Sequence, residues 1–110
     1  MTNEILIVAG ETSADQHGAA LVSQLKAASK DVTFFGIGGD NLRREGVQLV
    51  EHAENMAFMG FVEVAKHYWF LRTVYNKVVS ECEKRNPARA ILIDYPGFNL
   101  RLAKELKKRQ

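Results

Sequence analysis

Two polar turns carry the residues best suited to chemistry. One, Gly10-Glu11-Thr12-Ser13-Ala14-Asp15, follows the apolar run Ile5–Ala9; the other, Asp94-Tyr95-Pro96-Gly97-Phe98-Asn99, follows Ala88–Ile93. Asp94 is the strongest candidate for a catalytic group. It ends the apolar triplet Ile91-Leu92-Ile93, where a carboxylate is expected to be partly desolvated yet open at the strand end. Burial of that kind makes a carboxylate a better proton acceptor near neutral pH. The competing role is structural, a side chain that hydrogen-bonds its own turn. Glu11 sits ahead of the helix with no evident structural duty and is a candidate for binding a substrate hydroxyl. Ser13, with Gln16 three residues on, has the spacing of a capping box, so capping competes there with ligand contact. Asp15 suits the first turn of a helix, whose dipole it complements. Asn99 is placed to cap the last helix and is the remaining candidate for substrate binding.

Other signals are weaker. Gly10 is next followed by Gly18, so the first turn has no G-x-G-x-x-G dinucleotide fingerprint. It still delivers a helix N-terminus, whose free N–H groups suit a phosphate. His17, His52 and His67 are scattered with no ligand spacing, which argues against a metal site. Gly36-Ile37-Gly38-Gly39 reads as a strand-to-helix turn. Cys82 falls on an apolar helix stripe; as the single cysteine it allows no internal disulfide, which fits a reducing compartment.

The elements that must position these residues alternate in type. Strands are expected at Ile5–Ala9, Val32–Ile37, Val47–Val50 and Ala88–Ile93. Helical spacing follows the first strand, with Leu21, Val22, Leu25 and Ala28 on one side. Asp40 would cap a short helix through Glu45, closed by Gly46. A long helix is expected from about Phe61 to about Arg85, ended by Asn86-Pro87. A turn at Pro96-Gly97 and a last helix at Asn99–Arg109 complete the pattern. Strand–helix alternation implies an α/β fold with a doubly wound parallel sheet. In strand order 3-2-1-4 the first and fourth strands are neighbours, and ligands bind in the crevice beyond their carboxyl ends. Both polar turns then open into one cleft. Four strands are few for such a sheet, and the 110 residues read as an incomplete domain.

The net charge of +2 gives no reason to expect a nucleic-acid partner. Residues 1–98 hold ten basic and twelve acidic side chains, whereas 99–110 hold five basic side chains against Glu105. That basic terminal segment is either a solvated helix face or a patch for anionic lipid or phosphate. No apolar run approaches the ~20 residues that span a bilayer, so membrane contact is expected to be peripheral. On the long helix, ~100° per residue groups Phe61, Val64, Ala65, Tyr68, Leu71, Tyr75, Val78, Val79 and Cys82 as the core stripe. Val62, Trp69 and Phe70 fall off it beside Lys66, Thr73 and Lys77. They suit either an acyl chain or membrane interface, or packing against further protein.

Several of these segments together resemble the lipid-A-disaccharide synthase family. Val8–Asp15 is similar to its opening A-G-E-x-S-G-D motif, with His17-Gly18-Ala19 following. Gly36–Gly39 and Met59-Gly60-Phe61-Val62-Glu63-Val64 match in order. Ile93-Asp94-Tyr95-Pro96-Gly97-Phe98-Asn99-Leu100 is similar to I-D-x-P-x-F-N-L. Ala14 replaces a usual glycine, so the turn there must avoid a positive φ or bear strain. Gly97 replaces a frequent second aspartate, whose role is not carried over. Asp94 matches the aspartate proposed as catalytic base.

The resemblance implies the N-terminal, acceptor-side half of a two-domain glycosyltransferase of B type with Rossmann-like halves, the donor-binding half lying elsewhere. It implies condensation of UDP-2,3-diacylglucosamine with 2,3-diacylglucosamine 1-phosphate (lipid X), with inversion and release of UDP, during lipid A synthesis. The setting would be the cytoplasmic face of the inner membrane, in peripheral contact with its anionic surface, and the 110 residues alone would be inactive. No metal or other cofactor is expected. Exposed sheet edges leave self-association into a homo-oligomer open. Two rival readings are another nucleotide-sugar α/β enzyme, disfavoured by the missing glycine fingerprint, and a flavodoxin-like signalling module. The second wants clustered acids after the first strand and a lysine after the last, and no such lysine is present.

Overall fold

A computed structural model describes residues 3–29, 31–59 and 63–108. The order is β1 (Asn3–Ala9), α1 (Thr12–Ala28), β2 (Val32–Gly38), α2 (Asp40–Arg44), β3 (Gln48–His52), α3 (Ala53–Met59), α4 (Val64–Arg85), β4 (Arg89–Ile93) and α5 (Pro96–Lys108). The strands form one sheet in the order β3-β2-β1-β4. Central β1 pairs in parallel with both β2 and β4.

Alternation along β1 explains its unbroken apolar run, because successive side chains enter opposite faces. Leu6 and Val8 join Phe35 and Ile37 beneath α4 and α5, where Val74, Val78, Cys82 and Leu102 close one core. Ile5, Ile7 and Ala9 join Phe34 in a second core with Ala14, Val22 and Leu42 from α1 and α2. Helices therefore cover both faces, as a doubly wound sheet requires.

Three expectations about the elements are corrected. Helix α3 was not foreseen; His52 precedes it, and its Nδ1 accepts the Glu54 N–H at 3.0 Å, so an imidazole replaces the usual capping hydroxyl or carboxylate. Pro96-Gly97 is no turn but the start of α5, since proline at a first helical position gives up no hydrogen bond. Gly36 is not in a strand-to-helix turn: it lies inside β2 at φ 147°, where the β2–β3 register shifts.

The stripe of α4 departs from expectation at its near end: Leu71, Tyr75, Val78, Val79 and Cys82 pack on the core as expected. Val74 is fully buried with Val78 and Cys82, and Phe70 packs partly buried against the same core. Ala65 and Tyr68 are exposed instead. Phe61, at the start of the expected stripe, lies outside the described residues.

Asp15 ties the two helices of one face together. Only 4% exposed, its carboxylate accepts the N–H groups of Gly39 at 2.7 Å, Leu42 at 3.0 Å and Asn41 at 3.1 Å. These are the free donors at the start of α2, and an anion there also meets the positive end of the helix dipole. Asp15 thus caps α2 from α1, a task expected of Asp40. Asp40 is instead the first residue of α2 and bonds the His52 ring at 2.9 Å.

Candidate active site

The turns after β1 and β4 meet at the carboxyl edge of the sheet, as expected from neighbouring strands. A Cβ built on Gly10 would stand 3.1 Å from the Tyr95 ring. Beside them a cavity of about 740 Å³ opens between this edge and helices α4 and α5. Glu11, Tyr95 and Phe98 line it from the two turns, and His67, Tyr68 and Tyr75 from α4.

Asp94 departs from expectation. It is exposed rather than partly desolvated, and the neighbouring Tyr95, not Asp94, lines the cavity. The backbone is the cause: Asp94 and Tyr95 are consecutive left-handed residues, with φ of 54° and 51°. Aspartate tolerates that region, but a tyrosine held there stores strain on the order of 1–3 kcal/mol.

Asn99 holds this pair. It is 5% exposed and lies inside α5, where its Nδ2 donates to the Asp94 carbonyl at 2.5 Å and more weakly to the Ile93 carbonyl at 3.5 Å. Its backbone N–H reaches the Tyr95 carbonyl at 3.0 Å. Asn99 therefore braces the turn and is not among the residues lining the cavity. Ser13 is exposed in the first turn of α1, whose N-cap residue is Glu11 in extended conformation with no side-chain cap. The capping-box reading of Ser13 fails because the helix begins at Thr12. Ala14 is helical and buried, so it needs no positive φ. Gly97 faces open space, with nothing within 4 Å of an added Cβ.

Burial holds the Tyr95 hydroxyl protonated above the ordinary phenol range, and the Glu11 carboxylate adds repulsion to the phenolate. Tyr95 is therefore a hydrogen-bond donor throughout the neutral range. The sign has two consequences. Because the folded form releases this proton at higher pH than the unfolded one, stability falls as pH rises through the tyrosine range. Replacing Glu11 with Gln should bring Tyr95 down toward its ordinary value, read from the tyrosinate absorbance in an alkaline titration. An unmoved titration would show that burial alone sets it.

Residues not foreseen complete the site. His67 Nε2 is buried without a hydrogen-bond partner. Arg72 and Arg101 line the cavity with Tyr75, whose hydroxyl makes a long bond of 3.4 Å to the Arg101 carbonyl. The signal was present as Tyr68, Arg72 and Tyr75 at i, i+4 and i+7, one helix face. Trp69 is 62% exposed, edge-on to Tyr68 and 5.9 Å beneath the Arg72 guanidinium. Of the trio read as an outer apolar face, only Trp69 is exposed: Phe70 packs on the core and Val62 lies outside the described residues. Among the described residues no helix is long and apolar enough to cross a membrane.

Comparison with known proteins decides the family. The family model described as lipid-A-disaccharide synthetase matches residues 5–110. The chain belongs to this family. It is 45% identical over 109 residues to the lipid-A-disaccharide synthase of Myxococcus xanthus, covering 97% of this chain and 28% of that protein. The corresponding enzyme of Trichlorobacter lovleyi is 44% identical over 104 residues, covering 94% of this chain and 27% of its own length. Lipid-A-disaccharide synthase 1 of Legionella pneumophila is 41% identical over 107 residues, with 97% and 28% covered. The chain thus spans little more than a quarter of the curated relatives it matches.

Proposed function

We propose that this chain is part of the acceptor-side half of a glycosyltransferase that joins UDP-2,3-diacylglucosamine to 2,3-diacylglucosamine 1-phosphate. A second Rossmann-like half holds the UDP donor. The observation that carries the reading is the cavity at the carboxyl edge of a doubly wound sheet, in a chain of this family, where such folds bind ligands. Its volume lies in the range of small-molecule sites. Its aromatic walls suit a sugar ring and the start of an acyl chain, and Glu11 and the Tyr95 hydroxyl suit sugar hydroxyls.

In this mechanism the 6-hydroxyl oxygen of the acceptor attacks the anomeric carbon of the donor. The bond from that carbon to UDP breaks, and configuration inverts. Asp94 takes the hydroxyl proton; its exposure leaves it open to a donor arriving from the solvent side. Asn99 fixes the main chain beneath it. Trp69, exposed beside Tyr68, serves as acyl or bilayer contact at the cytoplasmic face of the inner membrane.

The test is UDP release by the protein that carries this chain. Release is expected only when both the UDP-sugar and lipid X are supplied. Equal release without lipid X would remove the acceptor reading.

A further inference from the structure

The cavity has two chemically different ends. Glu11, with Tyr95, stands where β1 and β4 finish; Arg72 and Arg101 stand where α4 and α5 run side by side, joined through Tyr75. Among the described residues neither guanidinium is ion-paired with a carboxylate. Arg72 is braced from below by the Trp69 ring. Gly97 contributes no side chain, so no second acid enters the space. The N-terminus of α1, the other candidate anion site, carries the acidic Glu11 as its N-cap residue, a charge that disfavours an anion there.

We propose that Arg72 and Arg101 form the anion subsite of this cavity, holding the phosphomonoester of an acyl-bearing sugar. The proposal rests on the acceptor reading above and adds an orientation to it. The phosphate lies between α4 and α5, and the opposite edge of the sugar faces the turns at Glu11 and Asp94. The charges enforce this polarity, because a phosphate turned the other way would meet Glu11. Guanidinium groups bind phosphate oxygens in pairs of parallel hydrogen bonds, a geometry that lysine does not reproduce. His67 lines the same cavity, with its Nε2 buried and without a hydrogen-bond partner. Tyr68 and Trp69, next to Arg72 on the helix, provide apolar surface for a chain attached close to the phosphate.

The experiment uses this chain and the emission of Trp69, its single tryptophan. The probes are a short-chain 2,3-diacylglucosamine 1-phosphate, kept below micelle formation, and its dephosphorylated counterpart. The wild type should prefer the phosphorylated form. Arg72→Gln and Arg101→Gln should each cut that preference by about tenfold or more, as expected for losing a charge-assisted hydrogen bond, while affinity for the neutral form stays unchanged. Lys104→Gln removes the same charge from an exposed α5 position outside the cavity lining and should leave the preference intact. Circular dichroism confirms that each variant is folded.

If both glycolipids bind and the arginine variants keep the preference, the subsite is wrong and the acceptor reading survives. If neither glycolipid binds, the acceptor reading falls and the subsite with it. An effect of Lys104→Gln equal to the others would reduce the preference to general charge and overturn the proposal. Two further arms identify the source of the anion. Inorganic phosphate should compete weakly; if it binds as tightly as the glycolipid, the ligand is a free anion. Arginine variants that lose only their binding to phosphatidylglycerol vesicles would mark these residues as membrane contacts instead.

Discussion

Replacing Gly36 with alanine should cost more than about 4 kcal/mol, the range reached only by exceptional substitutions, and leave little folded chain. The residue sits in the middle of β2, opposite Ile7 of β1 and Leu49 of β3. Its φ of 147° is a conformation that residues with a side chain rarely adopt. An added Cβ would stand 1.9 Å from the Ile7 carbonyl oxygen, and that oxygen belongs to the central strand. Relief requires β1 and β2 to separate, which opens both cores at once. A domain is stable by only about 5–15 kcal/mol in total. Gly97→Ala is the matched control, since its Cβ enters open space. Urea unfolding followed by circular dichroism distinguishes them: a normal midpoint for Gly36→Ala would mean that the sheet bends at this position more freely than its packing implies.

Asp94→Asn should lower turnover of the protein carrying this chain by roughly 10²–10⁴, the usual contribution of a general base. Asparagine is the informative replacement because it tolerates a left-handed backbone as aspartate does. The brace from Asn99 also survives, since it bonds the main-chain oxygen of residue 94 and not the carboxylate. The substitution therefore removes the proton acceptor and leaves the turn in place. Substrate affinity should change little. Near-normal UDP release in this variant would end the role proposed for Asp94.

The parts of the fold legible in the sequence are those governed by local pattern. Strand β1 announced itself because a strand covered on both faces must be apolar throughout, and strand–helix alternation then forced a parallel sheet. The meeting of the Glu11 and Asp94 turns followed from topology alone. What escaped depended on contacts far apart in the chain. Asp15 and the α2 donors it caps are separated by 24 to 27 residues. Helix α3 was hidden because a histidine ring caps it. On α4 the sequence pattern does not separate Tyr68, which faces the cavity, from the core positions Val78 and Cys82. Arg72 and Arg101 share a site only because two helices pack side by side. The exposure of Asp94 depended on two successive left-handed residues, one of them a tyrosine, and a residue of that type gives no warning of such a backbone.

The bond from Asn99 to the main chain of residue 94 also decides which element governs the carboxylate. The side chain leaves a strand end, but its aim is set by a helix that comes later in the chain. Anything that loosens the first turns of α5 should redirect residue 94 while leaving the sheet untouched, so positioning there is separable from folding. Helix α5 is the rudder of this site, and the strand merely its mooring.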